Sequence, residues 1–365
     1  MDTCFGSRNL SDYSHALRLA YEAVHGTYLQ FTDRNEALLR ELLEEGKDFH
    51  TIESRTKEID SFEEKVDLPE KEQKYKNFSE VTDLSGLRII CYLNEDADRV
   101  CGRLAEIYSI DQEHSINKQE QLEPDQFGYR SRHFVVTYKP ERAGLPENMR
   151  FAGLRAEIQV RTILQHAWAA IDWKLRYKNS RETPQNLRRR VFRVSALLEL
   201  ADDEFSDLSD AVQKLRHEYE QKIEAGDFKI GIDRESIDLF LNKDEDLIKI
   251  IELAKKNGFA IAPNHPRARD PYGGFISATQ FAGLSAVDEL KALISKLGMK
   301  KGPSFSDVFG EWKAPDRPAR LVMSKAGLAR LALVLALDKK KALDLVAELP
   351  FGEKLQHAVT TVLAK

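Results

Sequence analysis

In the first fifty residues Leu10, Tyr13, Leu17, Tyr21, Val24 and Tyr28 recur at steps of three and four, and Leu38, Leu39, Leu42 and Leu43 continue the stripe. That period marks helices with one buried face and predicts two of them between Asn9 and Lys47. The stretch TIESRTKEIDSFEEK then reads as a short extended piece followed by a helix that Asp60 or Ser61 caps. Three β-branched apolar runs bounded by polar turns, at 84–92, 128–138 and 153–161, predict strands of one sheet. Helical patterns lie near 95–107 and from Thr162 to Lys178, where Ile163, Leu164, Ala167, Trp168, Ile171 and Leu175 form one stripe. The expected architecture is α+β, helices packed on a sheet.

After Pro184 the residues Leu187, Val191, Val194, Leu198, Ala201, Phe205, Leu208, Val212 and Leu215 alternate steps of four and three without a break. This is a heptad seam. It suits either packing on the N-terminal helix pair or a homo-oligomeric coiled coil. Turn and polar character in AGDFKIGIDRES (225–236) places a domain boundary near 230, giving domains 1–230 and 231–365. Helical patterns at 236–257, 285–297, 324–337 and 339–349 make the second domain mainly α-helical, around Pro/Gly-rich loops at 263–274 and near 303–318.

Composition narrows the class. The longest apolar run, LALVLAL from Leu331 to Leu337, falls far short of the roughly 18 residues that span a bilayer. The N-terminal MDTCFGSRNLSDYSH has no basic-then-apolar secretory pattern. Cys4, Cys91 and Cys101 lack CxxC spacing and fit a reducing compartment. A cytoplasmic protein without membrane contact or structural metal is the expectation. The net charge of −5 hides an asymmetry: residues 234–365 carry 21 Lys+Arg against 16 Asp+Glu, so that segment is +5 and the rest −10. Such a tail can dock on its own N-terminal part, or face nucleic acid or an acidic protein.

Strand alternation points Leu154, Ala156, Ile158 and Val160 one way and Arg155, Glu157, Gln159 and Arg161 the other, so one face is core and one polar. In the preceding strand Tyr129, Ser131 and His133 share a face after Gly128. An aromatic ring beside a hydroxyl and an imidazole suits a base and sugar, although each residue alone also suits plain packing. Arg88 inside LSGLRIICY is costly unless paired or functional. Asp83 and Glu157 together suit Mg2+, which takes one or two carboxylates plus water and substrate phosphates. With Arg55, Lys57, Lys65 and Arg88 as matching cations, the layout reads as phosphoryl-type chemistry on a nucleotide.

Four ordered motifs, RTKEIDSFEEK (55–65), DLSGLR (83–88), GYRSRH (128–133) and EIQVRT (157–162), followed by QHAWAAIDWKLRYK, resemble the synthetase domain of the RelA/SpoT family of alarmone synthetases over about residues 50–180. The resemblance implies a mixed sheet flanked by helices and transfer of the β,γ-pyrophosphate of ATP to the ribose 3′-oxygen of GDP or GTP, with release of AMP. It implies that Arg55 and Lys57 hold ATP, Arg55 against adenine, while Ser61, Lys65 and Arg88 meet its phosphates. Asp83 and Glu157 hold magnesium, and Glu157 helps deprotonate the incoming hydroxyl. Tyr129 stacks on the acceptor guanine and His133 lies near the acceptor, with Gln159 and Arg161 in the same nucleotide-binding set.

Two departures bear on the acceptor. Asp125 stands where many relatives carry a lysine that meets acceptor phosphates, and Trp173 stands where relatives often carry His. Asp125, together with the basic run from Lys174 to Arg193, supports an alternative in which pyrophosphate goes to the 3′ end of tRNA. In that reading the C-terminal domain restrains the enzyme or senses a protein trigger. A solvated basic helix face accounts for the same run, and a non-catalytic nucleotide-binding regulator is the third reading.

Overall fold

The structure, a computed structural model, describes residues 12–68, 74–117, 131–176, 185–262, 272–298, 304–312 and 321–365. It divides into two compact units, residues 1–209 and 210–365.

The first unit begins with the two expected amphipathic helices, α1 (Asp12–Glu22) and α2 (His25–Leu42). Strand β1 (Thr51–Thr56), helix α3 (Ile59–Val66), strand β2 (Ser85–Cys91) and helix α4 (Asn94–Ile107) follow. Next come β3 (Tyr108–Asn117), β4 (Arg132–Tyr138), the single turn α5 (Pro140–Ala143), β5 (Ala156–Thr162), α6 (Ile163–Arg176) and α7 (Gln185–Glu224). The strands form one mixed sheet in the order β1-β2-β5-β4-β3, in which only β2 and β5 run parallel.

Registration follows the side-chain pattern, because a one-residue slip would turn every apolar residue to the wrong face. On β5 Ala156, Ile158, Val160 and Thr162 are buried while Glu157, Gln159 and Arg161 are half-buried on the other side. The apolar face meets α2 and α4 in a core that includes Tyr21, Phe31, Leu39, Leu87, Ile89 and Ile158. Two buried hydroxyls inside it, those of Thr32 and Tyr108, are paired, as burial favours. Thr32 Oγ1 donates to Ser85 Oγ at 2.8 Å, and Tyr108 OH donates to Asn35 Oδ1 at 2.8 Å, fastening α2 to the sheet.

Several expectations need correction. Glu58, not Asp60 or Ser61, is the N-cap of α3, and Asp60 is held by Arg18 at 2.8 Å instead. Strand β3 has no counterpart in the sequence reading, because YSIDQEHSIN lacks an apolar alternation and enters directly from the last residue of α4. The heptad seam does not pack inward: Val194 is 47% exposed and Phe205 52%, whereas the buried face of α7 there carries Ser195 and Asp202. The domain division at 209/210 falls inside α7 and not near 230. The last turns of that helix belong to the second core, to which Tyr219 and Ile223 contribute, and Arg216 pairs with Glu235 at 3.0 Å and Asp238 at 2.8 Å.

The second unit is mainly helical as expected. The predicted helix at 236–257 is two, α8 (Arg234–Lys243) and α9 (Glu245–Lys256), broken where Asp244 caps the second through the N–H groups of Asp246 and Leu247. Strand β6 (Phe259–Ala262), helices α10 (Gly273–Phe281), α11 (Val287–Ser295) and α12 (Phe305–Trp312), and strand β7 (Leu321–Ser324) follow. Helices α13 (Lys325–Ala336), α14 (Lys339–Glu348) and α15 (Glu353–Ala364) close the unit. Strands β6 and β7 pair in parallel, and α13, buried through its whole LALVLA stretch, forms the centre of the core. Among the described residues no helix is long and apolar enough to cross a membrane.

Candidate active site

The polar face of the sheet opens into a cavity of about 300 Å³. Strand β1 contributes Glu53, Ser54 and Arg55, the turn before β2 contributes Asp83, β2 itself Gly86, Leu87 and Arg88, and β5 Glu157 and Gln159. Register explains the convergence: Arg55 lies opposite Gly86, Gly86 opposite Glu157, and Arg88 opposite Gln159. Gly86 therefore sits between Arg55 and Glu157, and any longer side chain there would grow into the cavity.

Asp83 is gripped by two ammonium groups, Lys65 Nζ at 2.8 Å and Lys57 Nζ at 3.0 Å. Burial pushes its carboxyl up, but Lys65 and Lys57 outweigh that and hold it below the usual carboxylate range. Glu157 shows the same balance, with burial raising it and His133 and Gln159 bringing it below its ordinary value, while Asp83 opposes them. His133 Nδ1 donates to Glu157 Oε1 at 2.9 Å and Gln159 Nε2 to the same oxygen at 2.8 Å. Ser131 Oγ meets His133 Nε2 at 2.6 Å, a pairing in which the hydroxyl donates to the bare nitrogen and fixes the tautomer. Both bonds to Glu157 fall on Oε1, so among the described residues Oε2 has no hydrogen bond.

Like charges crowd the other end of the cavity. Burial, reinforced by Arg88, pushes the Arg161 guanidinium down to about 10, and Arg161 Nη2 donates to Gln159 Oε1. Arg88 is held by Glu53 at 2.7 Å. The Nε groups of Arg88 and Arg161 are buried without a hydrogen-bond partner among the described residues. Two orphaned donors on neighbouring cations are costly alone and are relieved by a polyanion.

The structure thus gathers Arg55, Asp83, Arg88, Glu157 and Gln159 around one cavity, with Lys57, Lys65, His133 and Arg161 each bonded to a residue that lines it. Ser61 is exposed on the first turn of α3 and does not line the cavity. Tyr129 and Asp125 lie outside the described residues, as does the Trp173 side chain. Sequence reasoning missed Glu53, the counter-charge of Arg88, and His166, which burial together with Arg88 and Arg161 holds below the usual imidazole range. His166 stands in the QHAWAAIDWKLRYK stretch, in the first turn of the helix after β5, and was given no role there.

Two carboxylates on a shared cavity are a hard oxygen donor set of the kind Mg2+ takes when substrate phosphates and water complete its shell. The described residues hold no group of three or more metal-ligating side chains, so a self-sufficient protein cage is not what the site offers.

Residues 54–182 match a family profile described as "Region found in RelA / SpoT proteins". The chain is 30% identical over 143 residues to the GTP pyrophosphokinase YjbM of Bacillus subtilis, a stretch covering 38% of this chain and 63% of that protein. It is 26% identical over 167 residues to the GTP pyrophosphokinase YwaC of the same organism, covering 45% of this chain and 74% of that one. Among solved structures, small alarmone synthetase 1 from B. subtilis aligns over 53% of this chain and 98% of its own at 25% identity, with a TM-score of 0.45.

Proposed function

Because residues 54–182 match the region found in RelA/SpoT proteins, we propose that the chain is a RelA/SpoT-type pyrophosphokinase that moves the β,γ-pyrophosphate of ATP onto the 3′-oxygen of a guanine nucleotide, GDP or GTP. The observation that carries this reading is the cavity itself, where two ionised carboxylates face five cations, Arg55, Lys57, Lys65, Arg88 and Arg161, among which the Nε donors of Arg88 and Arg161 have no partner among the described residues.

In the reaction the acceptor oxygen attacks the β-phosphorus, the bond from that phosphorus to the oxygen of the α-phosphate breaks, and AMP leaves with the electron pair. Transfer of this kind needs positioning and charge neutralisation more than covalent help. Arg55 on β1 holds the adenine side of ATP, and Lys57, Lys65, Arg88 and Arg161 take the phosphates. Asp83 and Glu157 would hold magnesium, which supplies Lewis-acid polarisation of the phosphates when bound. Glu157 accepts the proton of the 3′-hydroxyl, a contribution of roughly 10²–10⁴-fold. His133 and Gln159 fix its orientation through Oε1 and leave Oε2 for that task.

The test incubates purified protein with magnesium, γ-labelled ATP and, in separate tubes, GDP, GTP, ATP or deacylated tRNA. Label in a guanine nucleotide is the expected result. Label in tRNA alone would replace this acceptor with an RNA end, and label nowhere would remove the enzymatic reading.

A further inference from the structure

Helix α1 contributes no lining residue to the cavity, yet it reaches both lysines that clamp Asp83. Lys57, the first residue after β1, is fixed through its backbone. Its N–H donates to Leu84 O at 2.9 Å, and its carbonyl accepts from Tyr21 OH at 2.6 Å. Tyr21 is wholly buried, and its ring centre lies 4.8 Å from that of Phe62 on α3. Arg18, one turn earlier on α1, donates from Nη1 to Asp60 at 2.8 Å and to Glu63, both on α3. Lys65 follows Glu63 by two residues on that helix.

These bonds fall on the peptide of one lysine and on the turn that carries the other. A lysine is a point charge on a flexible four-carbon stem, so its ammonium group is placed only as well as its backbone is held. Small displacements of a charged group cost much of its effect on a bound polyanion. The same helix supplies its own comparison: Tyr13 OH donates to Tyr75 O at 2.6 Å, a bond of equal length to a residue that neither lines the cavity nor touches Asp83.

We propose that Tyr21 and Arg18 are positioning residues for the donor triphosphate. Tyr21 sets Lys57 through its carbonyl, and Arg18 sets Lys65 through α3. The proposal rests on the reading of the cavity as a site for ATP.

The test titrates the full chain with a non-hydrolysable ATP analogue and magnesium by calorimetry, with the thermal midpoint of every variant measured alongside. Lys57→Met, the reference, should weaken binding roughly tenfold. Tyr21→Phe keeps the ring and should weaken it by a similar factor, whereas Tyr13→Phe should stay within about twofold of wild type. In the Lys57→Met background Tyr21→Phe should add nothing, because its effect passes through the lysine. Arg18→Gln should weaken binding, and Arg18→Lys, whose single ammonium group can bridge Asp60 and Glu63, should restore it. Wild-type affinity in Tyr21→Phe with Lys57→Met impaired would overturn the positioning role alone. Wild-type affinity in Lys57→Met would remove the donor reading beneath it. Equal losses in Tyr13→Phe and Tyr21→Phe, or a full further loss in the double variant, would reduce α1 to a support of the fold and overturn the proposal.

Discussion

Asp83→Asn removes the one charge that separates two ammonium groups. The Asp83 side chain is 20% exposed and those of Lys57 and Lys65 are 12% and 23%. Deleting one partner of a buried pair costs about 3–5 kcal/mol because it strands the other charge. Here solvent reaches the cavity and Asn keeps one acceptor, so a loss of about 2–3 kcal/mol is the working figure. For a unit of this size each kcal/mol moves Tm by about 2–4 °C, which puts the expected drop at roughly 5–10 °C. Scanning calorimetry would follow it, reading the transition of the first unit. The folded carboxyl sits below the unfolded value, so its stabilisation is complete above roughly pH 4 and is lost as pH falls through the lowered pKa. The gap between wild type and variant should therefore close in acid. In metal-free buffer a non-hydrolysable ATP analogue gives the stranded lysines new anions and should raise the variant's Tm more than the wild type's. A variant within about 1 °C of wild type at neutral pH would refute the lysine clamp.

Other perturbations separate chemistry from folding. Glu157→Gln preserves an acceptor for His133 and Gln159, so transfer of label from ATP should fall by about 10²–10⁴-fold while the unfolding midpoint stays near wild type. Arg161→Met removes a cation whose Nε has no hydrogen-bond partner among the described residues; an ATP analogue should bind roughly tenfold or more weakly by calorimetry, with the fold retained. Asp202→Ala leaves the Thr162 hydroxyl proton at the end of β5 without its acceptor and should cost about 1–3 kcal/mol in urea unfolding, with Asp202→Asn recovering part of it.

Much of the site was legible because strand periodicity is strict. Glu157, Gln159 and Arg161 had to share a face once Ile158 and Val160 were assigned to the core, and β5 places them so. What the sequence could not reveal is which charges pair. Nothing in the spacing of Lys57, Lys65 and Asp83 says that both lysines rest on one carboxylate, because the contact joins the end of β1, α3 and the turn before β2. Glu53 was passed over for the same reason, since its link to Arg88 is a cross-strand neighbour relation fixed by register. Strand β3 was missed because its polar residues satisfy an edge position, where apolar alternation is not required. The four-three spacing on α7 did not tell which face of the helix its own unit covers. That choice was made by two small polar residues, Ser195 and Asp202, whose burial no hydrophobic pattern reports.

The central claim is that Asp83 and Glu157 serve one divalent ion. Binding of Mn2+, followed by electron paramagnetic resonance with a non-hydrolysable ATP analogue present, tests it without relying on turnover. The account requires a single ion on the wild-type complex and a roughly tenfold or greater weakening in both Asp83→Asn and Glu157→Gln. Wild-type affinity in either variant would contradict it and leave that carboxylate outside the metal's shell.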